Sequence, residues 1–231
     1  IFSYGVYTAY PYQSNLFGLP KSVIIDCIEG FITRPRLAPI TFESWVMNYF
    51  GSGFARHFFF PYQEKIFDFP VSQLTSSWAS QVPHTTITEI LEGALEPRDI
   101  HAIGYNAHFM YPEQGGINHL VNGIAHSLKN KIRTQCHVVS IDSKRKTIML
   151  DSGQTEPYEY LITTMPLNDL LVRIKRGAHS PYAEYANKLM CNTVININMG
   201  IALDDPLQCH WVYYPEKKFH FFRVGFPHTL H

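Results

Sequence analysis

Tyr111-Pro112-Glu113-Gln114-Gly115-Gly116-Ile117-Asn118-His119-Leu120-Val121-Asn122-Gly123-Ile124 is the stretch around which the 231-residue chain is organised. Ile117, Leu120, Val121, Ile124 and Leu128 recur at helical spacing, with Asn118, Asn122, His126 and Lys129 on the other side. That pattern predicts an amphipathic helix. Gly115 and Gly116 ahead of it permit a tight turn and leave the first helical amides uncovered. A strand is expected to lead in from Phe109. Beyond Lys131 the pattern shortens to strands over 137–141, 146–150 and 158–163, with turns at Asp142-Ser143-Lys144 and Asp151-Ser152-Gly153. Thr163-Thr164-Met165-Pro166 then reads as a strand edge stopped by proline.

Working outward, residues 4–10 alternate like a strand, and 10–20 read as a surface loop with half-buried tyrosines between Pro11 and Pro20. A helix over 20–33 follows, its proline suited to a first turn. After the proline-rich Arg34–Pro39 linker, Phe42, Trp45, Val46, Tyr49 and Phe50 form a second apolar face, closed by Gly51-Ser52-Gly53. A short third helix carries Phe54, Phe58 and Phe59. Thr86-Ile87-Thr88-Glu89 fits a capping box that starts another helix. Residues 20–95 are thus a helical lobe. Downstream, Ser180-Pro181 opens a helix to about 190, 193–203 reads as a long strand, and 209–214 with 219–225 read as a hairpin. The class is α+β, with a mainly antiparallel sheet, a helical lobe, and the central helix and meander as a separate part. The expected divisions are 1–108, 109–166 and 167–231.

Lys+Arg and Asp+Glu balance at 19 each, so no overall field draws nucleic acid or an anionic membrane. No apolar run is long enough to span a bilayer, and no signal peptide opens the sequence. Four cysteines, none in CxxC spacing, read as a reducing, cytoplasmic setting. Aromatic residues at 14% suggest ring-lined clefts. Because it opens on Ile1, the chain is expected to be a piece of a longer protein. His57, His84, His101, His108 and His119 are scattered without HExxH spacing, so no metal site is expected. No G-x-S-x-G elbow, Walker loop or strand-borne G-x-G-x-x-G occurs, and Asp204-Asp205 reads as a turn.

Three stretches nevertheless resemble the FAD-dependent amine oxidase superfamily, in the branch of protoporphyrinogen-oxidase-like proteins and UDP-galactopyranose mutases. Tyr10-Pro11-Tyr12-Gln13-x-Asn15 resembles "YPFQxN". Phe42-x-x-Trp45, Phe50-Gly51-x-Gly53 and Phe60-Pro61-Tyr62-x-x-Lys65-Ile66-Phe67 resemble "F-x-x-W … F-G-x-G … R-P-Y-N-x-K-V-W". Trp211-x-Tyr213-x-Pro215 and Phe221-Phe222-Arg223 resemble "W-x-Y-x-P … F-Y-R". The resemblance implies that Tyr10, Gln13, Trp45, Tyr213 and Arg223 bind substrate. It also implies that Gly115, Gly116, Val138, Thr164 and Pro166 lie along FAD, in an incomplete FAD-binding domain. The family's G-x-G-x-x-G unit and its closing flavin segment have no counterpart here, so this stretch alone is not expected to retain FAD.

The implied activity is a flavin-dependent oxidoreductase acting on a small molecule. The alternatives are a mutase-like enzyme on a nucleotide sugar and a non-catalytic scaffold. In the mutases two arginines meet the substrate diphosphate. Arg223 matches one, but Phe60 occupies the other position and Gln63 replaces the segment's asparagine, which weighs against a strict galactopyranose mutase.

Overall fold

The structure, a computed structural model, describes residues 1–36, 38–98, 110–128, 131–175, 179–202 and 209–230. Ile1–Gly116 and Ile201–His231 pack as one unit, and Ile117–Gly200 as another. Helices mix with three small sheets, which is the expected α+β class.

In the first unit the predicted strand over 4–10 is instead a hairpin, β1 (Phe2–Ser3) against β2 (Val6–Tyr7). Tyr4 and Gly5, at φ 54° and 81°, turn the chain. The following segment is not a surface loop. Tyr12, Gln13 and Leu16 are buried, and a 3-10 turn spans Tyr12–Ser14. Several of its polar groups find partners inward: Gln13 Nε2 donates to the Pro83 carbonyl, Ser14 Oγ meets Thr85 Oγ1 at 2.9 Å, and the Leu16 and Phe17 amides share the Gly93 carbonyl. Burial is tolerated because those groups are satisfied.

Helix α1 (Lys21–Ile32) and α2 (Phe42–Tyr49) form where the apolar spacing placed them. Gly51-Ser52-Gly53 does not end the helical run. Gly51, at φ 83°, kinks it into α3 (Gly51–Phe54), a π-helical turn (Ala55–Phe59) and α4 (Phe60–Phe67). Pro61 has no amide and its ring crowds the preceding turn; the widened π turn just ahead of it relieves that clash. The glycines also let α3 lie directly on α1. A Cβ on Gly51 would fall 1.9 Å from the Gly30 carbonyl oxygen, and one on Gly53 would fall 2.1 Å from that of Asp26. The capping box of Thr86 and Glu89 starts α5 (Ile87–Leu95) as predicted. Phe42, Phe50, Phe54, Phe58 and Ile90 are buried in one core.

In the second unit α6 (Ile117–Leu128) is the predicted amphipathic helix, yet Ile117, Leu120, Val121 and Ile124 remain more than half exposed. The meander is β3 (Val138–Asp142), β4 (Thr147–Leu150) and β5 (Thr155–Pro157). The third strand comes earlier than 158–163, because the Asp151–Gly153 turn reverses the chain at once and pairs Met149 with Thr155. After α7 (Leu167–Arg173), β6 (Ile174–Lys175) adds in parallel beside β3.

Two expectations fail here. The helix from Ser180-Pro181 shrinks to α8 (Ala183–Ala186), and the described part of 193–203 is not a strand. Ile195, Ile197 and Met199 are 74–83% exposed; alternation alone supplies no ladder partner. The closing hairpin forms in the first unit, shortened to β7 (Trp211–Tyr213) and β8 (Arg223–Gly225), with Tyr213 opposite Arg223. The strand leading in at Phe109 and the Asp204-Asp205 turn lie outside the described residues.

Candidate functional site

Stacked rings connect the core of the first unit to its hairpin. Tyr12 stacks on Phe58 at 4.8 Å and Phe58 on Tyr62 at 5.4 Å, nearly parallel in both cases. Tyr62 then meets Tyr213 at 5.2 Å, and Tyr10 packs edge-on to Tyr213 at 6.1 Å. The cross-strand register puts Arg223 beside Tyr213, exposed and 5.9 Å from the Phe222 ring centre. Tyr10, Tyr213 and Arg223, far apart in sequence, therefore share one aromatic wall ending in a guanidinium. Tyr62 also belongs to this wall; its place next to Pro61 in the motif was the signal that could have singled it out.

Gln13 and Trp45 sit differently. Gln13 is 1% exposed and ties the Tyr12–Ser14 turn to Pro83. Trp45, 6% exposed, is enclosed by Phe42, Tyr49, Phe50 and His84 at 5.0–6.3 Å between ring centres. Both support the strap at 83–85 from behind.

The cations that could replace the arginine missing at Phe60 are engaged elsewhere. Arg56 pairs with Asp26 at 3.1 Å; the same carboxylate oxygen meets His57 Nε2 at 3.0 Å, and His57 Nδ1 meets the Tyr4 hydroxyl at 2.7 Å. Lys65 on α4 donates to the carbonyls of Tyr214, Glu216 and Phe221 at 2.8, 2.5 and 3.3 Å. Burial pushes the Cys27 thiol up to about 12, so this cysteine is packing rather than a nucleophile. Among the described residues no three His, Cys, Asp or Glu side chains gather to hold a metal; His101 and His108 lie outside them. No helix of the described residues is long and apolar enough to cross a membrane.

In the second unit a cleft of about 330 Å³ opens beside β3. Val138, Ile141 and Ile148 form its apolar side, and Leu161, Thr163 and Thr164 line it further. Thr164 is exposed, and the adjacent Pro166 caps α7 with extended backbone. Gly115 and Gly116, at φ 76° and 60°, precede α6.

Residues 14–202 match the model of the flavin containing amine oxidoreductases. The chain belongs to that family. Its fold matches a crystal structure of reduced UDP-galactopyranose mutase with a TM-score of 0.82 at 25% identity, over 98% of this chain and 52% of the other. The chain thus spans about half the length of that neighbour. For an amine oxidoreductase of this family, the cleft at Val138 and Thr164 fits the flat, weakly polar end of a flavin dinucleotide. It offers apolar side chains for a ring face and threonine hydroxyls at its edge. Among the described residues its lining contains no cationic side chain to meet a pyrophosphate.

Proposed function

We propose that this chain forms the substrate-binding lobe, and part of the FAD-binding region, of a flavin-dependent oxidoreductase of the amine oxidase type. The observation that carries the reading is the family match together with an aromatic wall, Tyr10–Tyr213–Tyr62, that ends in an exposed arginine. The flavin, when bound, supplies the redox chemistry. Val138 would contact its adenine, Thr164 and Pro166 would run beside the cofactor, and Gly115 and Gly116 would shape the turn ahead of α6. Tyr10 and Tyr213 would offer ring faces to a small-molecule substrate and exclude water from it, while Arg223 would orient an anionic group. Gln13 and Trp45 would contribute indirectly, by holding the segment at 83–85 in the fold of the lobe.

A mutase-like enzyme acting on a nucleotide sugar is the second reading, favoured by the neighbouring fold and by Arg223. Phe60, and the engagement of Arg56 and Lys65, weigh against it. The experiment uses the whole protein. Its absorbance spectrum should show bound flavin; a colourless protein that takes up no added FAD would mean a non-catalytic scaffold. Thermal shift with UDP-sugars separates the two enzyme readings, since saturation at about a hundred times Kd adds roughly 2.7 kcal/mol. A rise in melting temperature that Arg223→Ala abolishes supports the mutase-like enzyme. No rise at millimolar ligand leaves the oxidoreductase. Arg223→Ala should weaken an anionic ligand of either enzyme tenfold or more, because a charge-assisted hydrogen bond is worth about 1.5–3 kcal/mol.

A further inference from the structure

The helical lobe carries a second recess, which shares no lining residue with the aromatic wall. It measures about 390 Å³ and is lined by Arg34 and Arg36 from the segment after α1, Asn48 and Tyr49 from the last turn of α2, and His84 and Thr85 ahead of α5. Two arginines and a histidine line this space, with no carboxylate among the described lining residues. Among the described residues neither arginine forms an ion pair, although eight other pairs are present.

The recess is also partly organised in advance. Arg34 donates to the Phe31 carbonyl, and its guanidinium lies 3.7 Å over the centre of the Phe31 ring, which restricts a side chain that would otherwise be mobile. His84 is held by Tyr49 at 4.8 Å and lies nearly parallel to Phe50 at 6.4 Å. Thr85 is fixed by Ser14 and by Glu89. Independently of the charges, Asn48 Oδ1 is buried without a hydrogen-bond partner. A buried carbonyl oxygen in that state costs free energy until a donor reaches it.

The charges define the ligand. The paired guanidiniums suit a tetrahedral oxyanion, which an arginine fork meets through two parallel hydrogen bonds. Asn48 does not oppose an anion, since its Oδ1 is turned away from solvent and the amide can offer Nδ2 as a donor. The geometry points to a binding site for a phosphate group, free or esterified, with Arg34 and Arg36 on its oxygens. The site goes beyond the flavin reading and does not rest on it.

Calorimetric titration of the whole protein with glycerol 3-phosphate and with inorganic phosphate tests the site, and no flavin turnover enters the readout. Glycerol 3-phosphate and inorganic phosphate should each bind at one site, and more weakly as salt rises. Arg34→Gln with Arg36→Gln should weaken binding at least tenfold. Arg36→Gln alone, which breaks no contact in the fold, should weaken it severalfold with an unchanged melting temperature. Arg133→Gln, an exposed arginine of the other unit, should have no effect. Binding that does not weaken with salt, wild-type binding by the double variant, or no heat from either probe at roughly 10 mM, well above what a two-arginine site requires, would each overturn the proposal.

Discussion

Gly51→Ala should lower the melting temperature of the first unit by roughly 10 °C, because two penalties act on one methyl group. At φ 83° the residue sits in left-handed backbone, where an L side chain costs about 1–2 kcal/mol. Its Cβ would also lie 1.9 Å from the Gly30 carbonyl oxygen and 2.3 Å from the carbonyl carbon. Neither atom is the end of a flexible side chain, so α3 must move off α1, an overpacking cost of about 1–3 kcal/mol or more. The sum is about 2–5 kcal/mol, and each kcal/mol shifts a unit of this size by roughly 2–4 °C. Gly5 provides the control: its φ is 81°, but an added Cβ meets nothing within 4 Å. Gly5→Ala should therefore show only the backbone term, about 1–2 kcal/mol. Equal melting temperatures for the two variants, followed by circular dichroism, would refute the helix contact as the cause.

Lys65→Met should both destabilise the protein and loosen its aromatic wall. The ammonium is the common donor for three carbonyls in the connection between β7 and β8. The same connection is tied a second time, where the Glu216 carboxylate accepts from the Tyr4 amide at 2.9 Å. Hydrogen bonds to a charged group are worth about 1.5–3 kcal/mol each, and water reaching this partly exposed site recovers some of that, so the expected loss is about 2–4 kcal/mol. Burial lowers the Lys65 pKa and Glu216 opposes that shift, consistent with an ammonium held among carbonyls. Tyr213 and Arg223 sit on the strands that this connection joins. The variant should therefore lose Arg223-dependent ligand binding at temperatures where it is still folded. Lys65→Arg should rescue little, because a planar fork does not reproduce a point donor shared by three acceptors. Wild-type ligand affinity in Lys65→Met would show that the wall is held by other means.

Much of this architecture was legible in the residues. Helices α1, α2 and α6 follow from apolar spacing, and α5 from a four-residue capping box, because each signal is local. The candidate site residues became legible only as motifs, since nothing in the period of β7 or β8 announces that Tyr10 will pack on Tyr213. Burial of Tyr12–Ser14 was hidden for a related reason. The Gln13 and Ser14 side chains look wet until Pro83 and Thr85, some 70 residues away, supply partners. Gly51-Ser52-Gly53 reads as a stop signal, whereas its function is close approach, which depends on α1 lying opposite. Residues 193–202 show the converse error, in which a clear alternation does not build a ladder.

The contact of Tyr4 with His57 and Asp26 has a built-in direction. A carboxylate can only accept, so the imidazole nitrogen facing Asp26, Nε2, must carry hydrogen. In a neutral ring Nδ1 is then bare, and the Tyr4 hydroxyl donates to it. Burial, reinforced by Glu216, holds the Tyr4 phenol above its ordinary range and keeps that proton in place. The tip of the first hairpin is thus latched to α1 through a single histidine tautomer. A second proton on the ring would make Nδ1 a donor and force the Tyr4 hydroxyl to turn and accept. The latch can therefore exist in two hydrogen-bond polarities without any change in which residues touch.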